Sequence, residues 1–352
     1  MQKKQFQKDL ITWFHEEKRD LPWRRTADPY QIWISEIMLQ QTRVDTVIPY
    51  YKRFIEKFPT LQDLALADEE VLLKQWEGLG YYSRARNLQA GVREVADKYG
   101  GNVPGSRKEI SALKGVGPYT AGAVLSIAYG LPEHAVDGNV MRVLSRILLI
   151  EEDIAKPKTR KVFEEAVTEL ISHEDPSAFN QGLMELGALI CTPTSPKCLL
   201  CPVREHCTAF HEGRQNELPV KTKAKATKAV NYAMVAIRKE DALLMEKRSS
   251  TGLLANMWQF PLLEVPESIG ATEVEERLSE QFKGLVAKAE KITSFKHVFS
   301  HLTWNVDGFI AEGEGMEIAE NMKWVSAAEM DLLPIAGPVQ KMKTALINRG
   351  DV

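Results

Sequence analysis

The chain has 352 residues, of which 44% are hydrophobic, and a formal net charge of −3. This is enough for two or three globular domains, and no uncharged stretch is long enough to span a bilayer. The start of the chain is polar and charged, so we expect no signal peptide. The charge is not that of a strongly basic nucleic-acid-binding protein, so any such affinity has to come from local patches and backbone N–H groups.

The character of the sequence changes near residue 218. Residues 1–217 carry apolar residues three and four positions apart, which is typical of helices. Residues 218–230 are basic and small and have no apolar face, which is typical of a linker. Residues 231–352 predict an α+β domain. Its predicted strands are Asn231–Arg238, Ala242–Lys247 and Ser300–Ile310, and its predicted helix covers Thr272–Phe282.

The first strong element is a helix that begins after Asp28. Asp28 is a good N-cap, and Pro29 suits the first helical position. The helix is predicted over Tyr30–Gln41 and is apolar almost all round, so we expect it to be buried. Glu36 lies in its middle, where a lone carboxylate is costly unless it is paired or functional. Burial would keep Glu36 protonated, as a general acid requires, and a structural hydrogen-bonding role is the alternative.

A glycine-rich turn, LKGVGP, covers Leu113–Pro118. We expect Gly115 and Gly117 to take positive φ and the proline to begin a helix that runs to about Tyr129. Backbone N–H groups in such a turn form an anion site. Asp137 then precedes a second apolar helix. A phosphate cradle near a carboxylate suggests a site that grips a nucleic-acid backbone and acts on it, although an ordinary helix connection and an N-cap use the same residues.

The cysteines form the most specific single pattern in the chain. All four lie within 17 residues, with the spacing C-x6-C-x2-C-x5-C: Cys191, Cys198, Cys201 and Cys207. Such density in an intracellular protein indicates metal rather than disulfides. The spacing is not that of common zinc modules, and four thiolates in one tight loop suit a [4Fe-4S] cluster. Structural zinc is the alternative.

With these motifs together, the chain resembles the MutY-type adenine DNA glycosylases, which belong with endonuclease III to the helix-hairpin-helix superfamily. A hairpin or a cluster alone is shared by several glycosylases, whereas their combination with SEIMLQQT and a C-terminal FSH motif is close to diagnostic. The resemblance covers nearly the whole chain. It rests on the four cysteines and on Pro29–Tyr51, Gly78–Leu88, Leu113–Val143 and Phe299–His301.

The resemblance implies a mostly α helix-hairpin-helix glycosylase domain with a [4Fe-4S] loop, followed by a C-terminal α+β Nudix-like domain. The first would have a six-helix-barrel-like part at about 28–135 and a cluster part at 1–27 and 136–217. The implied function is base excision repair: removal of adenine opposite 8-oxoguanine or guanine in double-stranded DNA by hydrolysis of the N-glycosidic bond. The implied protein is a cytoplasmic monomer, nucleoid-associated if bacterial, with no membrane contact and no identifiable protein partner.

The catalytic roles carry over residue by residue. Glu36 matches the acid that protonates N7 of an extruded adenine. Asp137 matches the carboxylate that stabilises the oxocarbenium-like sugar or bonds transiently to C1′, and the resemblance does not decide between these two actions. Two carboxylates with separated pKa values are the arrangement used in glycoside hydrolysis. Asn139 is placed to hydrogen-bond within this site.

The implied DNA contacts form three groups. The adenine pocket would contain Trp23, Arg24, Leu39 and Gln181. The residues that enter the duplex and hold the base out would be Gln41, Thr42 and Tyr81. The hairpin that contacts the backbone would be Gly115, Val116 and Gly117. Without the resemblance, Tyr81 and Tyr82 would be interpreted as ordinary aromatic packing and Gln41 as a surface amide.

Tyr119 separates two mechanisms. Bifunctional relatives carry a Schiff-base lysine two residues after the last hairpin glycine, where this chain has Tyr119. The resemblance therefore implies base excision without efficient strand cleavage. Two alternatives stay open, an endonuclease III-like pyrimidine glycosylase-lyase and a non-catalytic iron–sulfur DNA-binding module.

The C-terminal domain resembles the Nudix fold but lacks its catalytic REUxEExGU helix. The nearest acidic segment, Thr272–Glu280, reads TEVEERLSE and has no glycine. We therefore do not expect diphosphate hydrolysis. The resemblance implies instead that Phe299, Ser300 and His301 recognise 8-oxoguanine, and the alternative is that they are strand-end residues of a scaffold.

Overall fold

The computed structural model describes residues 2–223, 227–282, 286–314 and 318–351. The chain divides into two compact units, Met1–Leu66 with Asn87–Ala224, and Ala67–Arg86 with Lys225–Val352. We call them the helical unit and the sheet unit. Residues 224–226 of the predicted linker lie outside the described residues. Among the described residues, no helix has both the length and the apolar character needed to cross a membrane.

Helices make up the chain up to residue 223. They are α1 Lys3–Glu17, α2 Pro29–Leu39, α3 Val44–Lys57, α4 Leu61–Leu66, α5 Glu69–Trp76, α6 Ser83–Lys98, α7 Arg107–Ile110, α8 Pro118–Tyr129, α9 Gly138–Ile147, α10 Thr159–Leu170, α11 Pro176–Leu189 and α12 Thr208–His211. Short 3₁₀ turns cover Pro22–Arg24, Cys198–Leu200 and Arg204–His206.

The start of α2 confirms the predicted cap, and its end differs from the prediction. The Asp28 carboxylate accepts a hydrogen bond from the backbone N–H of Tyr30, and Pro29 is the first helical residue. The helix ends at Leu39 rather than Gln41, because Gln40 has ψ 115° and Gln41 has φ 57°. A left-handed residue cannot continue a right-handed helix.

The hairpin connects α7 to α8 and confirms the predicted helix from the proline to Tyr129. Gly115 has φ 77°, and a Cβ there would lie 2.7 Å from Cβ of Asn87, so this position needs glycine twice over. The expectation that Gly117 also takes positive φ is wrong. Gly117 has φ −90° and ψ 175°, the extended backbone of an N-cap, and a Cβ there would meet no atom of the described residues within 4 Å.

One apolar core of the helical unit joins the N-terminal helix to the helices after the hairpin. Phe6 and Leu10 of α1 pack with Phe179 and Leu183 of α11, and Val143 of α9 belongs to the same cluster. All five side chains are fully buried in one cluster, and their packing holds α9 and α11 side by side. The residues at the ends of those helices therefore have fixed positions.

The sheet unit is a mixed sheet between helices. Its elements are β1 Lys228–Lys239, β2 Ala242–Lys247, β3 Trp258–Gln259, β4 Leu262–Val265, α13 Ala271–Gln281, β5 Val286–Val298, β6 Leu302–Glu314, β7 Met322–Val325, α14 Ala327–Met330 and α15 Gly337–Arg349. In the described residues the strands run in the order β3-β2-β1-β6-β5, with β4 paired to β1 and β7 to β2. β1 and β6 are parallel, and the other pairs are antiparallel.

Alternation along β1 explains the two layers. Met234 and Ala236 join the core that contains Met342 of α15, whereas Ala233 and Val235 join the core that contains residues of α13. Successive side chains of a strand point to opposite faces, so β1 is covered on both sides. The long parallel pairing with β6 fits this burial.

The predicted strand Ser300–Ile310 begins two residues too early. β5 ends at Val298 and β6 begins at Leu302, and the backbone N–H of Phe299 donates to the carbonyl oxygen of Leu302 at 2.7 Å. Ser300 and His301 are thus the two central residues of a tight hairpin loop.

The segment Ala67–Arg86 packs within the sheet unit through charged contacts. Glu70 of α5 accepts hydrogen bonds from Nζ of Lys247 at 2.7 Å and from the indole N–H of Trp258 at 2.8 Å. Glu77 accepts one from the backbone N–H of Ile335 at 3.1 Å.

Candidate active site

A cleft of about 670 Å³ in the helical unit collects most of the predicted site residues. Val116 is the exception among the predicted hairpin residues, because it is buried rather than part of the cleft wall. The predicted residues that line the cleft are Trp23, Arg24, Glu36, Leu39, Gln41, Thr42, Gly115, Gly117, Tyr119, Asp137, Asn139 and Gln181. Residues far apart in sequence therefore meet at one place.

Glu36 is buried in the wall of the cleft, with 5% of its surface exposed. The hydroxyl of Tyr119 donates a hydrogen bond to its Oε2 at 2.5 Å. Burial raises the pKa of Glu36 to about 7, and the nearby Asp137 acts in the same direction, whereas the Tyr119 hydrogen bond and Arg24 oppose the rise. A carboxyl group with this pKa is protonated in a substantial fraction of the molecules at neutral pH.

Asp137 has two sets of contacts. Its Oδ1 accepts a hydrogen bond from the backbone N–H of Val140 at 2.7 Å, which caps α9, and its Oδ2 accepts one from Nδ2 of Asn139 at 2.9 Å. Burial raises the pKa of Asp137, and these two donors oppose the rise because they stabilise the ionised form. Asp137 therefore caps α9, as the sequence suggested, and its carboxylate still lines the cleft.

A buried ion-pair network that we did not predict forms another side of the cleft. Arg24 donates from Nε to Oε1 of Gln181 at 3.2 Å, and both Arg19 and Arg24 donate to Glu185 of α11. Glu185 is a lone carboxylate in an apolar helix, which is the same signal that identified Glu36. Arg19 carried no such signal.

Gln41 and Thr42 follow α2 at the edge of the cleft. Gln41 has φ 57°, an uncommon conformation for a residue other than glycine, asparagine or aspartate. Holding such a residue there costs about 1 kcal/mol or more, and such residues cluster at functional sites.

The four cysteines line one small cavity of the helical unit. Arg146 is fully buried beside it, with Nη1 3.3 Å from Sγ of Cys191. Burial raises the pKa of Cys201 to about 12, so a thiolate there needs a strong positive charge nearby, such as a metal supplies. In the part of the chain that the structure describes, no three His, Cys, Asp or Glu side chains are grouped as ligands of a single metal ion.

Arg142 links the cysteine loop to the cleft. Its Nε donates to the carbonyl oxygen of Cys191 at 2.8 Å, and its Nη2 donates to Oδ1 of Asn139 at 2.8 Å and to the carbonyl oxygen of Gly187 at 2.9 Å. Asn139, which donates a hydrogen bond to Asp137, is therefore positioned by Arg142, and Arg142 is in turn fixed by the backbone of Cys191.

The remaining predicted residues line a second cavity, of about 380 Å³, in the sheet unit. It contains Tyr81, Phe299, Ser300 and His301. The Phe299 ring packs on the rings of His297 and Trp304, with centroids 4.7 and 5.0 Å away, and this anchors the hairpin loop. Tyr81 has φ 48° and is 45% exposed, so the simple packing interpretation fits the buried Tyr82 and not Tyr81.

Comparison with known proteins agrees with this geometry. Residues 34–169 match the HhH-GPD superfamily of base excision DNA repair proteins, and residues 232–345 match the NUDIX domain. A solved thermostable thymine-DNA glycosylase is 33% identical with a TM-score of 0.54, over 60% of this chain and 97% of that one. The chain is therefore a helix-hairpin-helix base excision repair protein with an additional Nudix-like domain.

Two curated relatives define the family more closely. The adenine DNA glycosylase of Homo sapiens is 34% identical over 96% of this chain and 73% of its own length. That of Buchnera aphidicola subsp. Schizaphis graminum is 32% identical over 96% of this chain and 97% of its own. The chain belongs to the adenine DNA glycosylases, which are DNA N-glycosylases of base excision repair.

Proposed function

We propose that the protein excises adenine paired with 8-oxoguanine or guanine by hydrolysis of the N-glycosidic bond and leaves the DNA strand intact. The observation that carries the proposal is the contact between Tyr119 and Glu36 in the cleft. It joins a carboxyl group of raised pKa to a hydroxyl at the position where a Schiff-base lysine would be needed.

The first step is protonation of the extruded base. Tyr119 occupies Oε2 of Glu36, so Oε1 is the oxygen that carries the acid proton. Glu36 transfers this proton to N7 of adenine. The bond between N9 and C1′ then breaks with its electron pair passing to the base, which leaves as neutral adenine.

The second step is stabilisation of the sugar. Asp137 keeps a negative charge near C1′ as positive charge develops there, and its hydrogen bonds from Val140 and Asn139 favour that ionised form. Water adds to C1′ and gives its proton to a carboxylate of the cleft. The product is an abasic site.

Strand cleavage would need an amine that attacks C1′. Tyr119 has none, and Lys114, which precedes the hairpin glycines, is exposed and is not among the residues lining the cleft. We expect borohydride to trap no stable adduct between the wild-type enzyme and DNA. A trapped adduct would favour a glycosylase-lyase instead.

The cysteine loop would hold a [4Fe-4S] cluster through Cys191, Cys198, Cys201 and Cys207. A bound cluster would fix the backbone of this loop and would take no part in glycosidic chemistry. Cys198→Ser should remove the brown iron–sulfur absorbance and lower stability. A folded protein that contains zinc and lacks iron would contradict the cluster.

The hairpin loop of the sheet unit would recognise the damaged base. 8-Oxoguanine presents an N7–H donor where guanine presents an acceptor. The hydroxyl of Ser300 and the ring of His301 are exposed and can accept or donate hydrogen bonds at that edge. In Ser300→Ala with His301→Ala, affinity for the 8-oxoguanine duplex should fall towards that for the guanine duplex. Unchanged discrimination would refute this role.

The decisive experiment is single-turnover adenine release from an A:8-oxoguanine duplex by wild type and Glu36→Gln. Release that collapses in the variant, with duplex binding retained, would support both the reaction and the acid. Equal release by both proteins would contradict the mechanism, and no release by the wild type would contradict the function.

A further inference from the structure

Glu185 is the most heavily hydrogen-bonded carboxylate lining the active-site cleft. Its side chain is 1% exposed. Oε1 accepts from the backbone N–H and Nε of Arg19, at 3.0 and 2.9 Å, and from Nη1 of Arg24 at 3.0 Å. Oε2 accepts from Nη2 of Arg19 at 2.8 Å and from Nη2 of Arg24 at 2.9 Å. Two bidentate guanidinium contacts on one carboxylate fix both arginines in orientation as well as in position.

This arrangement keeps Glu185 ionised. Burial acts to raise its pKa, and the hydrogen bonds from Arg19 and Arg24 outweigh it and lower the pKa to about 2. The group of three side chains therefore carries a single net positive charge. Without the carboxylate it would carry two, in a partly buried cleft where charges are poorly screened.

The fixed guanidinium of Arg24 orders the next side chain. Its Nε donates to Oε1 of Gln181 at 3.2 Å, and Nε2 of Gln181 donates to Oγ of Ser177 at 3.0 Å. These two hydrogen bonds fix which atom of the Gln181 amide is the oxygen and which is the nitrogen. The amide therefore presents one defined donor and acceptor pattern to a base in the cleft. Arg24 also lowers the pKa of Glu36 by its charge.

Three groups from different parts of the cleft act directly on the ionisation of Glu36. Tyr119 of α8 donates to it, Asp137 before α9 opposes its ionisation, and Arg24 favours its ionisation. Arg160 of α10 donates a hydrogen bond from Nη2 to the carbonyl oxygen of Val136. The charged and titratable groups of the cleft around Glu36 are Arg19, Arg24, Tyr119, Asp137, Arg160 and Glu185.

We propose that Glu185 is a positioning residue for base excision, which orients Arg24 and neutralises one of the two guanidinium charges so that Glu36 keeps its proton. Glu185 does not touch the reacting atoms. It acts through Arg24, and the inference rests on the proposed role of Glu36 as the acid.

The test is the pH dependence of single-turnover adenine release by Glu185→Gln. Glu36 acts in its protonated form, so the rate falls as the pH rises through its pKa, and an added positive charge moves that fall to lower pH. For an assumed separation of about 10 Å and an effective dielectric constant of about 20, one unit charge shifts the limb by about one pH unit. At pH 8 the variant should therefore be about tenfold slower than the wild type, and the difference should largely disappear at pH 5.5.

Two further variants separate charge from structural damage. Arg19→Gln combined with Glu185→Gln restores the net charge of the group and should move the limb back towards its wild-type position. Glu185→Asp keeps the charge and should shift the limb less than Glu185→Gln. The matched control is Glu169→Gln, which removes an exposed carboxylate from α10 and should leave the limb in place.

The outcomes are distinct. A limb that moves down in Glu185→Gln and returns in the double variant supports the proposal. A rate that is reduced equally at every pH, or a double variant no better than the single one, overturns it. If the wild type shows a limb and Glu185→Gln does not move it, this inference fails alone. If the wild type releases adenine with no limb that depends on Glu36, the proposed acid fails first.

Discussion

Glu36→Gln should stabilise the protein, and more so at higher pH. Burial raises the pKa of Glu36 from 4.5 to about 7. Between these two values the folded protein binds more protons than the unfolded chain, so stability falls as the pH rises through this window. At about 1.4 kcal/mol per pH unit, this rise in pKa corresponds to about 3 kcal/mol over the whole window, and about 2 kcal/mol of that falls between pH 5.5 and 8.

Glutamine keeps the shape of the side chain and cannot ionise, so it removes this dependence. We expect the free energy of unfolding of Glu36→Gln to exceed that of the wild type, and the excess to be about 2 kcal/mol larger at pH 8 than at pH 5.5. The measurement is denaturant unfolding at the two pH values, followed by a signal of the helical unit. Glu169→Gln, which removes an exposed carboxylate, is the control and should show no such change. An equal difference between Glu36→Gln and wild type at both pH values would refute the reasoning, because Glu36 would then titrate alike in the folded and unfolded protein.

Three other predictions concern the same unit. Tyr119→Phe removes the hydrogen bond that lowers the pKa of Glu36, so the alkaline limb of adenine release should move up by about 1–2 pH units, and a downward shift would contradict the contact. Gly115→Ala should destabilise the fold by more than 1 kcal/mol, since φ is 77° and Asn87 lies in the way, as thermal unfolding would detect. The added Cβ of Gly117→Ala meets no described atom within 4 Å, so this change should leave stability unchanged while weakening duplex binding in a filter or anisotropy assay. Normal binding would contradict a place for this glycine on the DNA surface.

Local chemistry made parts of the fold predictable from the sequence. The cap at Asp28, the proline-led start of α8 and the strand Ala242–Lys247 each depend on residues within a few positions of one another. Strand β5 was not predicted, because VAKAEKITSFKHV mixes lysines with the β-branched residues and shows no strong apolar alternation. Its pairing with β6 supplies what its own sequence lacks.

The residues of the candidate site also divide into those that local sequence predicts and those that it does not. Glu36 and Asp137 could be identified from their immediate surroundings, as a carboxylate in an apolar helix and as a carboxylate before one. The contact between Tyr119 and Glu36 joins residues 83 positions apart, and the ion pairs of Glu185 reach back 161 and 166 positions. Spacing within a segment carries no information about such pairs. The left-handed backbone of Gln41 was equally hidden, since glutamine has no local preference for that conformation.

The double contact of Asp137 has a consequence for how the protein tolerates mutation in a cell. Loss of this carboxylate leaves the N–H of Val140 and the amide of Asn139 without their acceptor, so an inactive Asp137 variant should also be less stable and less abundant. Loss of the Glu36 carboxyl relieves a cost of folding. An inactive Glu36→Gln variant should therefore accumulate, occupy the DNA sites of the intact enzyme without excising a base, and obstruct that enzyme. The Asp137 variant and Glu36→Gln, although equally inactive, would then differ in genetic dominance over the wild-type allele.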